Sequence, residues 1–513
     1  MNNFNTENYM NLIDLTLTEA LAKLRAREIT AVELTTAYLD RIEKFGAELN
    51  CYITVTRERA LADAAESDRR YADGTNRGLE GIPIAMKDNF ATIGIRSTGG
   101  SHILENFIPG YESTVSQKLA DAGCVLLGKT NMSEFGMSSS AKTSYFGPSL
   151  NPYNRGMRLS PGGSSSGSAT AVAAGLCCAA TGTDTGNSIR FPASLCGLVG
   201  MKPSYGVCSR FGCFPFASSL DHPGVFGRNV DDCALMLAAA AGFEPQESTS
   251  ATVADKIADS LKSPLAELPL RGLKIGIIRE LESLDIDPNI KSEFNRHIEN
   301  LKSNGAEIIK VSVPHVLDLE TLYMVISRAE ASSNLARLDG MRYGLRVEGD
   351  GLDDTYKKTR AAGFGPYVKF RLVTGAVMLT EKFYKDCFLQ ATKIRRILDN
   401  ELLAAFEKCD LIVNPTCPCT ADAAPLNNES SPENSLAADE FSAQNFYMAD
   451  TLTIAANMSG LPAASVPMAL CNGLPAGLHI MGRRFDDTRV LQCAKHIEKF
   501  AAFDNRPTTV MGE

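Results

Sequence analysis

The densest chemistry in the chain lies at residues 160–192, which read SPGGSSSGSATAVAAGLCCAATGTDTGNSIRFP. Four of the five residues from Ser164 to Ser168 are serine, set between Gly162-Gly163 and an alanine-rich run. Paired glycines beside serines specify a backbone that turns sharply and presents N–H groups to something small and polar. The run 166–176 predicts a helix whose N-terminus points back at those serines. Residues 177–183 predict a short buried strand, which delivers a second polar turn from Asp184 to Ser188. One helix and one strand therefore tether two serine-bearing turns, and the chain can fold back to bring Ser164 and Ser188 together. A flexible Gly/Ser linker is the competing reading, and the tightly apolar segments that follow at once argue against it.

Several bases compete to activate a serine here. Residues 163–167 satisfy G-x-S-x-G, the nucleophile elbow of α/β hydrolases, with Ser165 at its centre. That scheme needs a strand feeding the elbow, then an acid and a histidine downstream. Residues 151–159 do not read as a strand, and of the later histidines (His222, His297, His315, His479, His496) only His315 follows a predicted strand, with no acid to orient it. A serine hydrolase without histidine uses another base, and lysine is the usual substitute. Lys87 closes the apolar strand 82–86 and is followed by Asp88. A lysine carried into a core is costly unless it is paired or its pKa falls, and the bland alternative is a side chain that snorkels to solvent. A second lysine, Lys129, sits in GCVLLGKT at 123–130, a letter-for-letter phosphate loop. Its four intervening residues are apolar and form the strand themselves, so no ATP site is expected there.

The elements that must hold these groups alternate in type. Helices are predicted at 18–28, with Leu21 and Leu24 on one face, and from a capping box at Thr30 and Glu33 that opens a run with Leu34, Tyr38, Ile42 and Phe45. Further helices fall at 56–71, 113–122, 230–241, 288–304, 393–408 and 488–502. Strands fall at 82–86, 125–127, 273–278, 307–313, 410–413 and 464–466, with a hairpin around Asn472-Gly473. This alternation argues for an α/β protein with a large, mixed, mostly parallel sheet. Polar connections occur at 245–255 and at 426–445, the latter expected to be a mobile surface loop.

Composition narrows the function classes. The chain has 513 residues, 44% of them hydrophobic, and a formal net charge of −9, which disfavours a protein that is basic throughout and leaves open a local basic patch and nucleic-acid contact through a partner. Its 14 cysteines are scattered without a C-x-x-C pair, which fits neither a zinc site nor a disulfide framework and suits a reducing compartment. The N-terminus lacks the pattern of a signal or transit peptide, and no apolar run approaches the roughly 20 residues that cross a bilayer. A cytoplasmic location is expected.

Lys87 after GIPIAM, the block PGGSSSGS and the block GTDTGNSIRFP together resemble the amidase signature family. The resemblance implies the amidase-signature fold, an α/β sheet covered by helices on both faces. It also implies a Ser-cisSer-Lys triad: Ser188 as nucleophile, Ser164 as the serine following a cis peptide from Gly163, and Lys87 as ultimate base. Backbone N–H groups of Thr185, Gly186 and Asn187, on to Ser188, would form the oxyanion hole. The implied organisation is a single domain over 1–513, with an N-terminal helical segment at about 12–75, a signature core at about 80–245 and a C-terminal substrate-binding part at about 270–505.

Other stretches resemble the A-subunit branch of the aspartyl/glutamyl-tRNA(Asn/Gln) amidotransferases: EASSNLARLDGMRYG at 330–344, GIRST from Gly94, HILENFIP from His102, SYFGP from Ser144 and FASSLD from Phe216. In that branch an arginine holds the α-carboxylate of glutamine and an aspartate its α-amino group, which carries over to Arg371 and Asp450, with Tyr323 as a further contact. A planar guanidinium suits a carboxylate and an acid suits an ammonium. The implied function is a glutaminase that passes ammonia to B and C partner subunits of a heterotrimer, which bind misacylated tRNA, ATP and Mg; this chain itself would carry no cofactor and no metal. A stand-alone amidase of small carboxamides is the alternative, and a catalytically dead scaffold a third. Four positions depart from the branch: Asn187 where glycine is usual, Lys142 where an acid is, and Phe191 and His222 where glutamine is.

Overall fold

The computed structural model describes residues 12–153, 158–421 and 450–512. The connection expected at 426–445 lies outside them. Eleven strands form one sheet: β1 (Tyr52–Val55), β2 (Pro83–Lys87), β3 (Val125–Thr130), β4 (Ala179–Asp184), β5 (Val199–Lys202), β6 (His222–Gly227), β7 (Lys274–Ile278), β8 (Glu307–Val311), β9 (Leu411–Pro415), β10 (Ala463–Cys471) and β11 (Leu474–Gly482). Their spatial order is β1-β3-β2-β4-β6-β5-β10-β11-β9-β7-β8.

Two apolar cores flank the sheet, as strand alternation requires. Along β9, Leu411 and Val413 enter one core and Ile412 the other. The first core is closed by the helices Leu17–Ala26, Ala31–Leu49, Val230–Ala240, Pro288–Ser303 and Asp487–Ala501. The second is closed by Leu319–Asn334, Pro366–Met378 and Leu389–Phe406. The capping box is made as its residues require: the Glu33 N–H donates to Thr30 Oγ1 (3.0 Å) and the Thr30 N–H to Glu33 Oε2 (2.8 Å).

The sheet is mixed, but its expected mostly parallel character is corrected. Four of its pairings are parallel and six antiparallel. Hydrophobic periodicity reports which residues are buried, and it carries no strand direction. The antiparallel centre comes partly from the β10–β11 hairpin, where Asn472 (φ 52°) and Gly473 (φ 73°) both take the left-handed conformation of a tight turn. Three short strands, β1, β5 and β6, have no strong pattern in the sequence.

Strand β3 runs through Thr130, three residues beyond its predicted end. Gly128-Lys129-Thr130 are therefore ladder residues, and the phosphate-loop letters form no loop. Gly128 answers to packing instead, because a Cβ there would lie 2.2 Å from the carbonyl oxygen of Thr54 on β1.

Candidate active site

Lys87 ends β2, which runs parallel between β3 and β4, so its side chain leaves the sheet from an interior strand. The side chain is wholly buried. Its Nζ lies 2.8 Å from Ser164 Oγ, 2.9 Å from Ser165 Oγ and 2.8 Å from Thr183 Oγ1, with the Thr183 carbonyl oxygen at 3.4 Å. All three close neighbours are hydroxyls. Burial pulls the amine down to about 7 from its ordinary 10.5, since no carboxylate touches it to hold the proton.

Ser164 follows a cis peptide from Gly163, and the helix Ser166–Ala173 begins two residues later. The Ser165 N–H donates to the Ser188 carbonyl oxygen (3.3 Å), which stitches the two serine turns together. The second turn is shaped by a buried ion pair. Arg190 donates from Nη2 to Asp184 Oδ1 (2.9 Å) and from Nε to Asp184 Oδ2 (3.0 Å), and its Nη2 also reaches the Gly186 carbonyl oxygen (2.8 Å). Asp184 Oδ2 in turn accepts the N–H groups of Ile189 (3.0 Å) and Arg190 (3.3 Å). Arg190 holds this carboxyl well below the usual carboxylate range against the opposing pull of burial. Thr185 Oγ1 donates to Asp221 Oδ1 (2.7 Å) and pins the other side of the turn. Among the described residues, no hydrogen bond takes the N–H groups from Thr185 to Ser188.

The expected recognition residues gather beside this turn from three separate elements. Tyr323 comes from the helix Leu319–Asn334, and its ring faces Gly186, where a Cβ would lie 3.2 Å away. Arg371 comes from the helix Pro366–Met378; its Nη2 donates to the Tyr367 hydroxyl (2.8 Å) and its guanidinium lies 4.8 Å from the Tyr367 ring and 5.6 Å from the Phe216 ring. Its buried Nε makes no hydrogen bond among the described residues. Asp450 Oδ1 accepts from Asn187 Nδ2 (2.5 Å). Burial pushes the Asp450 carboxyl up to about 7, with Arg371 acting in the opposite sense.

The four departures separate into neighbours of the turn and packing residues. Asn187 joins the turn to Asp450, and the Ser139 hydroxyl donates to its Oδ1 (3.2 Å). The Lys142 N–H donates to Ser140 Oγ (3.4 Å) within the loop that carries Ser139. Phe191 packs with Leu159, Leu195 and Leu474. His222 opens β6 with Nδ1 2.6 Å from the Leu220 carbonyl oxygen, and burial keeps its imidazole neutral.

The histidine-based alternatives are not assembled. His315 does have an acid, Glu401, with Nδ1 2.6 Å from Oε1. Among the described residues that pair makes no hydrogen bond to Ser164, Ser165 or Ser188, nor do the remaining histidines. His479 is used against Arg190 (2.9 Å). Ser165, the centre of the elbow pattern, serves as a second hydroxyl on Lys87. Two features went unread in the sequence: the hydroxyl of Thr183 on Lys87, and the Asp184–Arg190 pair. The signal for the pair was present, as two opposite charges six residues apart and the only charged residues between Arg158 and Lys202.

The chain is similar to known proteins over nearly its whole length. The A subunit of the glutamyl-tRNA(Gln) amidotransferase of Gluconobacter oxydans (strain 621H) is 44% identical over 504 residues, covering 97% of this chain and 98% of that protein. The protein of the same name from Caldanaerobacter subterraneus subsp. tengcongensis is 42% identical over 505 residues, covering 98% and 100%. The crystal structure of the corresponding glutamyl-tRNA(Gln) amidotransferase A subunit from Thermotoga maritima superposes with a TM-score of 0.75 at 33% identity, covering 97% of each chain. Residues 33–491 match the Amidase family, a span that contains the buried lysine, both serine turns and Tyr323, Arg371 and Asp450, and the chain belongs to that family.

Proposed function

We propose that this chain is the glutamine-hydrolysing A subunit of a tRNA-dependent amidotransferase, using Ser188, Ser164 and Lys87 as nucleophile, relay and base. The observation that carries the reading is the placement of Arg371 and Asp450 around the Asp184–Ser188 turn. A buried guanidinium whose Nε has no hydrogen-bond partner among the described residues and a part-buried carboxylate bonded to Asn187, beside the nucleophile, suit the two charges of a free α-amino acid. An aryl or alkyl amide would bring no counter-charge to either group.

In this mechanism Ser188 Oγ attacks the side-chain carboxamide carbon of glutamine while its proton passes through Ser164 Oγ to Lys87 Nζ. The oxyanion faces the N–H groups from Thr185 to Ser188, where one well-placed donor contributes roughly 3 kcal/mol. The C–N bond then breaks, the proton returns through Ser164 to the leaving nitrogen, and ammonia departs. Water hydrolyses the acyl-enzyme by the same relay and releases glutamate. Transfer of ammonia to Glu-tRNA(Gln), and by extension Asp-tRNA(Asn), belongs to B and C partner subunits, which would also bind ATP and Mg, in the cytoplasm. No helix among the described residues is long and apolar enough to cross a membrane.

The test is a glutaminase assay on the full chain, alone and with its co-purified partners, misacylated tRNA and ATP. Glutamine hydrolysis that rises in the complete mixture is the expected result. A protein that purifies alone and cleaves aryl or aliphatic amides while ignoring glutamine is a stand-alone amidase. Wild-type activity no greater than that of Ser188→Ala on any amide marks a scaffold.

A further inference from the structure

The side chain of Asn187 reaches across the mouth of the site. A carboxylate can only accept hydrogen bonds, so the amide nitrogen of Asn187 must be the atom facing Asp450 Oδ1, at 2.5 Å. The hydroxyl of Ser139 fits the other end, donating to Asn187 Oδ1 at 3.2 Å. Both ends of one short side chain are thus engaged, which fixes its rotamer and the direction in which the amide points. Among the described residues nothing donates to Asp450 Oδ2. The backbone of Asn187 sits immediately before Ser188, and its carbonyl accepts the Phe191 N–H (2.8 Å), so the residue is anchored from both backbone and side chain.

We propose that Asn187 is a positioning residue of this chain, whose amide orients Asp450 so that its second oxygen meets the α-ammonium of the amino-acid substrate. Resting on the glutaminase reading, this names what holds the acid of that site in place in this chain, at a position where the branch carries glycine. With one carboxylate oxygen held by Asn187, the other is left at a defined place for a cation, and Arg371 is close enough to act on the same carboxyl. The donor also favours the ionised carboxylate, which a cationic substrate needs and which burial opposes. A glycine at this position would leave Asp450 free to rotate and short of one hydrogen bond.

The experiment compares kcat/KM for L-glutamine with that for glutaramate, the same carboxamide without the α-amino group, in the full chain and its partners. The ratio cancels any change that residue 187 makes to the shared oxyanion turn. Asn187→Gly is expected to lower the glutamine-to-glutaramate ratio about tenfold, the effect of losing one charge-assisted hydrogen bond. Asn187→Asp, equal in size but with no donor, is expected to lower it at least as far. A ratio that is unchanged or raised in Asn187→Gly, or kept by Asn187→Asp, overturns the proposal. Wild-type protein without glutaminase activity would instead sink the functional reading itself.

Discussion

Two lysines stand one register step apart on adjacent parallel strands and do different things. Lys87 on β2 lies opposite Thr130, and Lys129 on β3 lies opposite Met86, so alternation sends their side chains to opposite faces of the sheet. Both are fully buried, and burial lowers both amines, to about 7 for Lys87 and about 8 for Lys129. Their partners differ in kind. Lys129 Nζ donates to the Phe90 carbonyl oxygen and to Ser97 Oγ, each at 2.6 Å, with Asp88 Oδ1 at 3.7 Å. A carbonyl and a carboxylate can only accept, so that pocket favours an amine that keeps all its protons. Around Lys87 the near neighbours are three hydroxyls, which give or take a proton equally well. A buried amine becomes a base only where its surroundings allow its lone pair to accept.

The strongest way to break this comparison is to remove each amine. Lys87→Met is expected to lower glutaminase kcat by about a thousandfold or more, as loss of the general base does, in a protein that remains folded. Lys129→Met is expected to keep its activity per folded molecule and to lose about 3 kcal/mol in urea unfolding, because buried acceptors lose their donor. Activity lost with Lys129 and kept without Lys87 would reverse the assignment.

A second contrast sets the proton relay against substrate recognition. Arg371→Lys retains the charge but loses the planar fork, and is expected to raise KM for glutamine about thirtyfold while changing kcat much less. A fall confined to kcat would mean that Arg371 acts on the chemistry instead.

The pH profile sharpens the role of Lys87 further. Its amine is protonated below about 7 and cannot accept a proton, so kcat/KM should fall about tenfold per pH unit on the acid side and level off above. The same shift has a sign for stability. Between about 7 and 10.5 the unfolded chain holds the proton that the folded protein has released, so Lys87 makes stability rise with pH in that window. Lys87→Met should remove that slope, and urea midpoints across the window measure it.

The smallest effect lies far from the site. Thr30→Ala opens the capping box of the helix Ala31–Leu49 and should cost about 1 kcal/mol of stability with no change in kcat or KM. A kinetic change there would show that the helical layer at the N-terminus is coupled to the turns.

Much of this arrangement was legible along the chain, and the reason is local. Glycines, serines and an apolar run of defined length dictate where a backbone turns and which strand feeds the turn, so Ser164 and Ser188 stood out as neighbours in prospect, and the family resemblance added Lys87 to them. The capping box at Thr30 and the Asn472-Gly473 turn were equally readable, because each is completed within a few residues. The phosphate-loop letters show the limit of a motif read without its context: six of those eight residues, Val125–Thr130, form β3, and β1 packs against Gly128.

What the chain could not state by itself is anything decided across hundreds of residues. Strand direction at the centre of the sheet, the Arg190 contacts with Thr453 and Asn457, and the meeting of Asn187 with Asp450 all depend on how distant segments are laid side by side. The sequence alone determined that hydroxyls and an amine would be carried on short turns at strand ends. Only the tertiary structure decided that Lys87 is surrounded by hydroxyls and Lys129 by a carbonyl and a carboxylate, because solvation and hydrogen-bond partners are properties of the packed neighbourhood and not of the residue.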